Sequence, residues 1–304
     1  MNEIISIKNV TKQYKTKGEY ITAVDNLNLS IKKHEVFGLI GPTGAGKTTV
    51  IKMLSTLIIP DKGSITIDGY DVVREGNKIK RILGVLAGEF TRSLYWRLTG
   101  RQNLEFFAKL KNIWHPQERI DYLTELFDLK KWENKLVMRY STGMKHKLAF
   151  AIALLNDPPI LLLDEPLTGV DPITSYEIKK LIREDFREKT IMWASHNLYE
   201  IEEMCSRIGL LNHGKLVLEG SVEALKKKYW SYERILLIVD RPQIFLEIDG
   251  AKITGKNRVE IKTDDVTATL KKIVDICIQN TVNIEEIKTV KPTLEEVFIA
   301  GVKK

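Results

Sequence analysis

The stretch Gly41-Pro42-Thr43-Gly44-Ala45-Gly46-Lys47-Thr48-Thr49 carries the strongest structural signal in this chain. It matches the pattern GxxxxGK followed by Ser or Thr. It stands between the apolar run Val36–Ile40, which predicts a buried strand, and a segment that predicts a helix. Glycines allow such a loop to curl, so that successive backbone N–H groups point at phosphate oxygens. Lys47 is then placed to contact the β- and γ-phosphates, and Thr48 to offer a hydroxyl to Mg²⁺. The stretch predicts a nucleoside triphosphate site.

A second apolar run, Ile160–Leu163, ends in two acidic residues, Asp164 and Glu165. A buried strand that ends in an aspartate is how a phosphate-loop fold presents a carboxylate to Mg²⁺, so Asp164 joins Thr48 as a predicted metal-site residue. Glu165 follows on the opposite side of the chain, where it is placed to accept a proton from a water that attacks the γ-phosphate. The alternative is a strand end with two solvated acids.

A histidine follows a third apolar run, in the sequence Trp193-Ala194-Ser195-His196. The carboxyl ends of parallel strands meet at one edge of a sheet, so we expect His196 to lie near the triphosphate. There its imidazole is placed to contact the γ-phosphate and to orient Glu165. A lone histidine is more often structural, and the other four histidines of the chain are expected at the surface.

The segment Ser141-Thr142-Gly143-Met144-Lys145 predicts the start of a helix with Ser141 as N-cap. A helix start that combines a glycine with a nearby lysine attracts anions. Ser141 lies 94 residues after Lys47, however, and the spacing does not say whether it reaches the same nucleotide. On the residues alone, a simple helix cap is the better interpretation.

The order of the segments predicts an α/β fold over the first two-thirds of the chain, with a domain boundary near residues 220 to 230. The pattern after this boundary is different and predicts a small α/β domain. Its expected strands are Arg234–Asp240, Ile244–Ile248, Arg258–Lys262 and Ile284–Val290, with an amphipathic helix at Val266–Ile278 and a short helix after Pro292.

Composition excludes several classes of protein. The longest uninterrupted apolar run, Leu148–Leu155, has eight residues, whereas a membrane span needs roughly 18. Two cysteines cannot build a disulfide framework or a four-cysteine zinc site, and the first residues lack the layout of a signal peptide. The net charge of +7 is spread along the chain and does not by itself indicate nucleic acid. We expect a cytosolic protein.

Together these motifs resemble those of the ATP-binding cassette (ABC) ATPases, the nucleotide-binding subunits of ABC transporters. Gly41–Thr49 resembles the Walker A loop, and Ile160–Glu165 the Walker B strand with its catalytic glutamate. Ser141–Lys145 resembles the signature motif, although it reads STGMK rather than the common LSGGQ. Thr168-Gly169-Val170-Asp171 resembles the D-loop, and His196 the switch histidine. Tyr14 resembles the aromatic residue that stacks on adenine, with Tyr20 as a competitor for that role.

The resemblance implies a P-loop ABC core at residues 1–220, with a helical subdomain at about 89–157 and an accessory domain at 221–304. It implies ATP and Mg²⁺ as ligands. It also implies a second cassette subunit, expected to be a copy of this chain, whose Ser141, Thr142 and Gly143 cap the γ-phosphate in trans. An integral membrane permease is the expected partner, with the chain peripheral on the cytoplasmic face of the membrane. The wording SLYWRLTGRQNLEFFAKL and STGMK is similar to the subfamily of multidrug, antibiotic and polysaccharide exporters.

One departure from the family pattern concerns a glutamine that normally contacts Mg²⁺ and the attacking water. Its place falls at Gly88, and Glu89 is a possible substitute. Weak hydrolysis or a different route of coupling would follow, which leaves a regulatory cassette as an alternative. A soluble ABC ATPase that acts on nucleic acid or ribosomes is a second alternative. The interval between Lys47 and Ser141 leaves no room for the long coiled coils of chromosome ATPases, however, so no nucleic acid partner is expected.

Six aromatic residues lie between positions 90 and 114, which is dense for this chain. Phe106 and Phe107 are expected in the core of the helical subdomain. Tyr95 and Trp96 fall in a predicted loop beside Arg92 and Arg97, where they are either part of that core or a grip for a cytoplasmic helix of the permease.

Overall fold

The computed structural model describes residues 3–16, 18–88, 93–229, 232–290 and 293–302. The chain divides into two compact units, residues 1–220 and 221–304, which we describe separately.

A six-stranded sheet in the order β10-β9-β3-β8-β7-β6 forms the centre of the first unit. Strands β3, β6, β7, β8 and β9 pair in parallel. The inner strands β7 and β8 are buried along their whole length, as expected for a parallel sheet covered on both faces. The bounds are β3 Val36–Ile40, β6 Leu83–Leu86, β7 Ile160–Asp164, β8 Thr190–Ser195, β9 Arg207–Asn212 and β10 Lys215–Ser221.

Strands β9 and β10 are joined by His213 and Gly214, both of which have positive φ. Two such residues form a tight turn whose twist suits a hairpin. His213 and Gly214 therefore form the turn of a β9–β10 hairpin.

A second sheet, in the order β2-β1-β4-β5, shares a hydrophobic core with the six-stranded sheet. It is built on a long antiparallel hairpin of two 14-residue strands. The extra residues lie toward the hairpin tip and are mostly exposed. The bounds are β1 Glu3–Thr16, β2 Glu19–Lys32, β4 Lys62–Ile67 and β5 Tyr70–Asp71.

Helices surround these sheets, and three of them form a small helical region between β6 and β7. Phe127 and Phe150 stack in this region with their ring centroids 6.2 Å apart. Phe106 and Phe107 were expected in its core, but both are only half-buried and pack on each other and on Tyr95. The bounds are α1 Lys47–Leu54, α2 Gly76–Ile82, α3 Gly100–Leu110, α4 Gln117–Leu126, α5 Thr142–Ala153, α6 Pro172–Glu184 and α7 Leu198–Met204.

The second unit holds a four-stranded sheet in the order β12-β13-β11-β14, whose pairs are all antiparallel. One face of this sheet packs with helix α9 around a core that includes Ile235, Leu237 and Ile273. The bounds are α8 Val222–Tyr229, β11 Glu233–Val239, β12 Ala251–Gly255, β13 Arg258–Thr263, α9 Val266–Asn280, β14 Ile284–Val290 and α10 Leu294–Val302.

Two further sequence-based predictions are wrong. Ile244–Ile248 was expected to be a strand, but Pro242–Glu247 is a 3-10 helix because Pro242 starts the turn and Phe245 is fully buried one turn later. The strand in this region is β12, which was not predicted.

His146 was expected at the surface, but it lies buried in helix α5, which is apolar around most of its circumference.

No helix in the described part of the chain is both long enough and apolar enough to span a membrane.

Candidate active site

The phosphate loop joins β3 to α1 and lies between the two sheets of the first unit. Gly46 has φ of +107°, and a Cβ at this position would lie 2.3 Å from the carbonyl oxygen of Ala23 in β2. The amide of Gly214, in the β9–β10 turn, donates to the carbonyl of Ala45 at 3.0 Å. Backbone from both sheets thus fixes the path of the loop, and only glycine fits at Gly46.

Lys47, the first residue of α1, has a buried side chain. Its ammonium donates to the carbonyls of Gly41 at 2.7 Å and Pro42 at 3.2 Å, and lies 4.0 Å from Glu165. Burial lowers its pKa, and the nearby carboxylates of Glu165 and Asp164 oppose that shift. The loop therefore holds a poorly solvated cation, which suits a ligand of high negative charge.

Asp164 ends β7 and is buried, and its Oδ1 atom has no hydrogen-bond partner. Burial, more than the adjacent charge of Glu165, raises its pKa, while a hydrogen bond from the Thr48 hydroxyl lowers it. An orphaned buried carboxylate oxygen beside a hydroxyl matches the oxygen ligands that Mg²⁺ prefers. No cluster of three or more His, Cys, Asp or Glu side chains among the described residues would hold a metal. Thr48 and Asp164 would therefore share the ion with phosphate oxygens and water.

Glu165 begins the turn after β7 and has φ of +51°, a region that costs a non-glycine residue about 1–3 kcal/mol. Its amide donates to the carbonyl of Ala194 at 2.8 Å, which ties the turn to β8. Its Oε1 atom accepts from the backbone amide of His196 at 3.1 Å and contacts the imidazole Nδ1 at 2.8 Å. The structure thus brings together Lys47, Asp164, Glu165 and His196. This agrees with the expectation that the carboxyl ends of parallel strands meet at one edge of the sheet.

Two hydroxyl groups that sequence reasoning did not select also contact Glu165. Ser195 donates to its Oε2 atom at 3.3 Å and Thr168 does so at 3.2 Å. Ser195 is fully buried and also lies 3.4 Å from Glu200, a carboxylate whose pKa is raised by burial. The position of Ser195 directly before His196 was the available signal, but the contact depends on how β7 and β8 pair.

The signature-like segment begins helix α5 as predicted, with the Ser141 hydroxyl accepting from the amide of Met144 at 3.1 Å. Ser141 and Thr142 are exposed. Gly143 faces the start of α6, where a Cβ would lie 2.4 Å from Thr174 Oγ1 and 2.9 Å from Asp171 Oδ2. The contacts of Gly143 therefore run to the D-loop-like segment of the same chain.

Tyr14 and Tyr20 both lie on the β1–β2 hairpin. Tyr14 pairs with Ile21, two residues before Ala23, whose carbonyl abuts Gly46. Tyr20 pairs with Lys15, closer to the hairpin tip, and is 67% exposed against 37% for Tyr14. Tyr14 is thus the tyrosine nearer along the hairpin to the phosphate loop.

Gly88 occupies the position at which the family glutamine was expected. A Cβ built on Gly88 would lie 3.8 Å from the Asp164 carboxylate, so the position borders the predicted metal site. Glu89, the possible substitute, lies outside the described residues, as does Arg92.

Two family models match this chain, one in each of its two units. A family model described as "ABC transporter" matches residues 24–168, and one described as "ATP-binding protein DrrA1-3-like, C-terminal domain" matches residues 220–302. The chain is 32% identical over 304 residues to the daunorubicin resistance ATP-binding protein DrrA3 of Streptomyces coeruleorubidus, covering 97% of this chain and 94% of that protein. It is 33% identical over 307 residues to the bacitracin transport ATP-binding protein BcrA of Bacillus licheniformis. This alignment covers 98% of this chain and 97% of that protein.

The chain belongs to the ABC transporter ATP-binding proteins.

The fold of this ABC cassette is also that of solved cassettes. A dimeric structure of the ATP-binding cassette MJ0796, in a post-hydrolysis state with ADP and Pi bound, matches with a TM-score of 0.65 and 29% identity. The match covers 72% of this chain and 98% of that one. The predicted α/β fold of an ABC ATPase is therefore confirmed, and the cassette is an ATPase.

Replacing Lys47 by alanine is expected to weaken ATP binding by at least about tenfold, because the buried ammonium provides charge-assisted contacts to the phosphates. Calorimetric titration with ATP and Mg²⁺ measures the effect. The matched control is Lys62→Ala, an exposed lysine on β4. Unchanged affinity in Lys47→Ala would contradict the assignment of the loop.

Replacing Glu165 by glutamine is expected to leave ATP affinity nearly intact and to lower kcat by about 10²–10⁴-fold, the usual contribution of a positioned base. Single-turnover hydrolysis separates this chemical step from binding. The control is Glu184→Gln at the exposed end of α6. Rapid turnover by Glu165→Gln would exclude this carboxylate as the base.

Proposed function

We propose that this ABC cassette hydrolyses ATP with Mg²⁺ at the ends of β3, β7 and β8, and thereby powers a separate membrane permease that works as an exporter. The observation that carries the proposal is the Glu165 carboxylate, which is held by His196 and Ser195 and lies 4.0 Å from Lys47. A base fixed beside a phosphate-binding cation is the arrangement that phosphoryl transfer to water requires.

Each side chain of the site takes a role that follows from its contacts. Lys47 and the amides of Gly41–Thr49 bind the phosphates, and Thr48 with Asp164 hold Mg²⁺, which offsets the phosphate charge when bound. Glu165 accepts the proton of the attacking water, and His196 keeps its carboxylate oriented. Tyr14 stacks on the adenine.

A second copy completes the site in this proposal. Ser141 and Thr142 are exposed at the start of the 12-residue helix α5, where the N-terminal dipole favours an anion. In a head-to-tail pair, this helix start closes on the triphosphate of the other copy, with Gly143 allowing close approach and Asp171 beside it. ATP then supplies contacts that only the closed pair makes, and hydrolysis removes them.

A groove of about 1050 Å³ beside β6 is the proposed docking site for the permease. Among the described residues, its lining includes the cations Lys80, Arg81 and Lys111 and no carboxylate, while Leu110 and the 86% exposed Trp114 provide apolar surface. Lys111 donates to Asn156 at 2.7 Å, and burial lowers its pKa to about 8. Exposed aromatic surface with a cationic lining suits a short amphipathic helix that carries an acidic residue.

The relatives support the assignment to an exporter. Two proteins aligned over nearly the whole chain are named for daunorubicin resistance and for bacitracin transport. By analogy, this cassette serves export of a drug-like or antibiotic molecule from the cytoplasmic face of the cell membrane. Its substrate need not be either of those two compounds, because the permease and not the cassette would contact it.

Gly88 favours one alternative, a weakly hydrolysing regulatory cassette. The position borders Asp164 but offers no side chain to the metal or the water. The fixed geometry of Glu165 and His196 opposes this alternative.

Gly88→Gln tests how far the missing side chain limits hydrolysis. The backbone at Gly88 lies outside the positive-φ region, and the nearest atoms leave ordinary contact distance, so the fold should accept the change. We expect kcat to rise by about tenfold, below the full effect of a catalytic group, because Glu165 and His196 already position the water. Gly88→Ala is the control and should leave kcat unchanged. A rate that glutamine does not raise would show that Gly88 is not limiting.

Affinity purification from solubilised membranes tests the permease. The tagged chain should recover a protein with several membrane spans, and Trp114→Ala should reduce that recovery by about tenfold or more while the ATPase rate of the isolated chain stays unchanged. Trp132→Ala, a partly exposed tryptophan outside the groove, is the matched control. Recovery of RNA or ribosomes in place of a membrane protein would favour the nucleic acid alternative.

A further inference from the structure

The sheet of the second unit ends in an open edge at β14. Within the described residues, β14 pairs only with β11, and Glu285–Thr289 are all exposed. The other edge strand, β12, is shorter and is packed by the 3-10 helix at Pro242–Glu247. A seven-residue edge strand with exposed backbone groups is a template for another strand.

Strand geometry restricts how two copies of β14 could pair. Successive residues point their N–H and C=O groups to alternate edges, so only every second residue bonds toward the free edge. In an antiparallel pair of identical strands, a residue that faces the free edge must therefore lie opposite another of the same parity. Every allowed register then places one residue opposite its own copy.

One of these registers is complementary in charge. With Ile287 opposite itself, Glu286 lies opposite Lys288 of the second copy, and Lys288 lies opposite Glu286 of the second copy. The neighbouring registers centre on Glu286 or on Lys288 and place like charges opposite each other, which is unfavourable.

Ile287, the apolar residue at the centre of this register, has an exposed side chain that pairing would cover. Ile287 pairs with Leu237 of β11 and so shares the sheet face that holds the core of the unit, yet it is 42% exposed. A second copy of Ile287 directly opposite would cover part of that surface. Charges on an edge strand often serve to prevent pairing. Charges that only prevent pairing do not need to match those of a second copy. In β14, however, Glu286 and Lys288 are complementary on either side of the apolar Ile287.

We propose that β14 is a dimerisation edge, through which two copies of this chain pair antiparallel around Ile287 into one continuous sheet without requiring nucleotide. The interface differs from the ATP-dependent pairing proposed above, which uses the first unit. Such a link raises the effective concentration of one cassette near the other between rounds of hydrolysis.

Charge exchange tests the register on the full chain without nucleotide, by sedimentation equilibrium. Glu286→Lys and Lys288→Glu should each weaken the dimer by about tenfold, because each creates two symmetry-related like-charge pairs. The double variant Glu286→Lys/Lys288→Glu should return to within about twofold of the natural chain. Glu285→Lys is the matched control, because Glu285 lies at the register shift of β14, outside the regular run Glu286–Val290 that carries the charge pairs.

Cross-linking gives an independent measurement. Ile287→Cys should form a disulfide-linked dimer under mild oxidation, since directly opposed residues of an antiparallel pair lie within disulfide distance. Thr289→Cys, which this register places away from its own copy, should not, and Cys277→Ser serves as the background because Cys205 is buried.

Three results would overturn the proposal: a natural chain that is monomeric without nucleotide at about 100 μM, a dimer insensitive to the single exchanges, or a double variant that is not restored. Cross-linking of Ile287→Cys to a different protein would likewise assign the edge to another partner. Each result is independent of ATP hydrolysis, so failure here leaves the proposed function untouched.

Discussion

The confinement of the phosphate loop between two sheets is the constraint on which the rest of the site depends. Gly46 abuts the carbonyl of Ala23 from the antiparallel sheet, and Gly41 abuts that of Leu211 from the parallel sheet. A side chain at Gly46 would push these layers apart, and the backbone N–H groups would lose the positions from which they reach phosphate oxygens. The two sheets therefore determine the shape of the site directly, because their backbone carbonyls contact the loop.

The same confinement creates an electrostatic imbalance that a ligand would relieve. Burial lowers the pKa of Lys47 and raises that of Asp164, so each charged form is held with less solvation than it has in water. Phosphate oxygens would solvate Lys47, and a divalent cation would satisfy the orphaned Oδ1 atom of Asp164. The strained turn at Glu165 adds to this preorganisation, since its bonds to Ala194 and His196 hold the carboxylate where β7 and β8 meet.

A feature of the fold or the site could be predicted from the sequence when it depends on residues that are neighbours along the chain. The phosphate loop, the turn at His213-Gly214 and the N-cap Ser141 were predictable because each depends on a few neighbouring residues with definite backbone preferences. The convergence of Asp164, Glu165 and His196 followed from a general rule about parallel strands. The 3-10 helix at Pro242–Glu247 was missed because the burial of Phe245 outweighed the strand-like composition. The contacts of Ser195 were also missed, because they require the register between β7 and β8.

The position of His146 explains how the site connects to the surface proposed for the permease. Its imidazole, buried in α5, donates to the backbone of Pro166, which can only accept through its carbonyl and directly follows Glu165. The starts of α5 and α6 approach so closely at Gly143 that a Cβ there would lie 2.4 Å from Thr174 Oγ1. One residue before His146, the Lys145 ammonium lies 5.1 Å above the exposed ring of Trp96. The turn at Glu165, helix α5 and the loop around Trp96 are therefore joined by direct contacts. Helix α5 thus links the turn after β7 to the loop around Trp96 through contacts that do not involve Gly88, where the expected glutamine is missing.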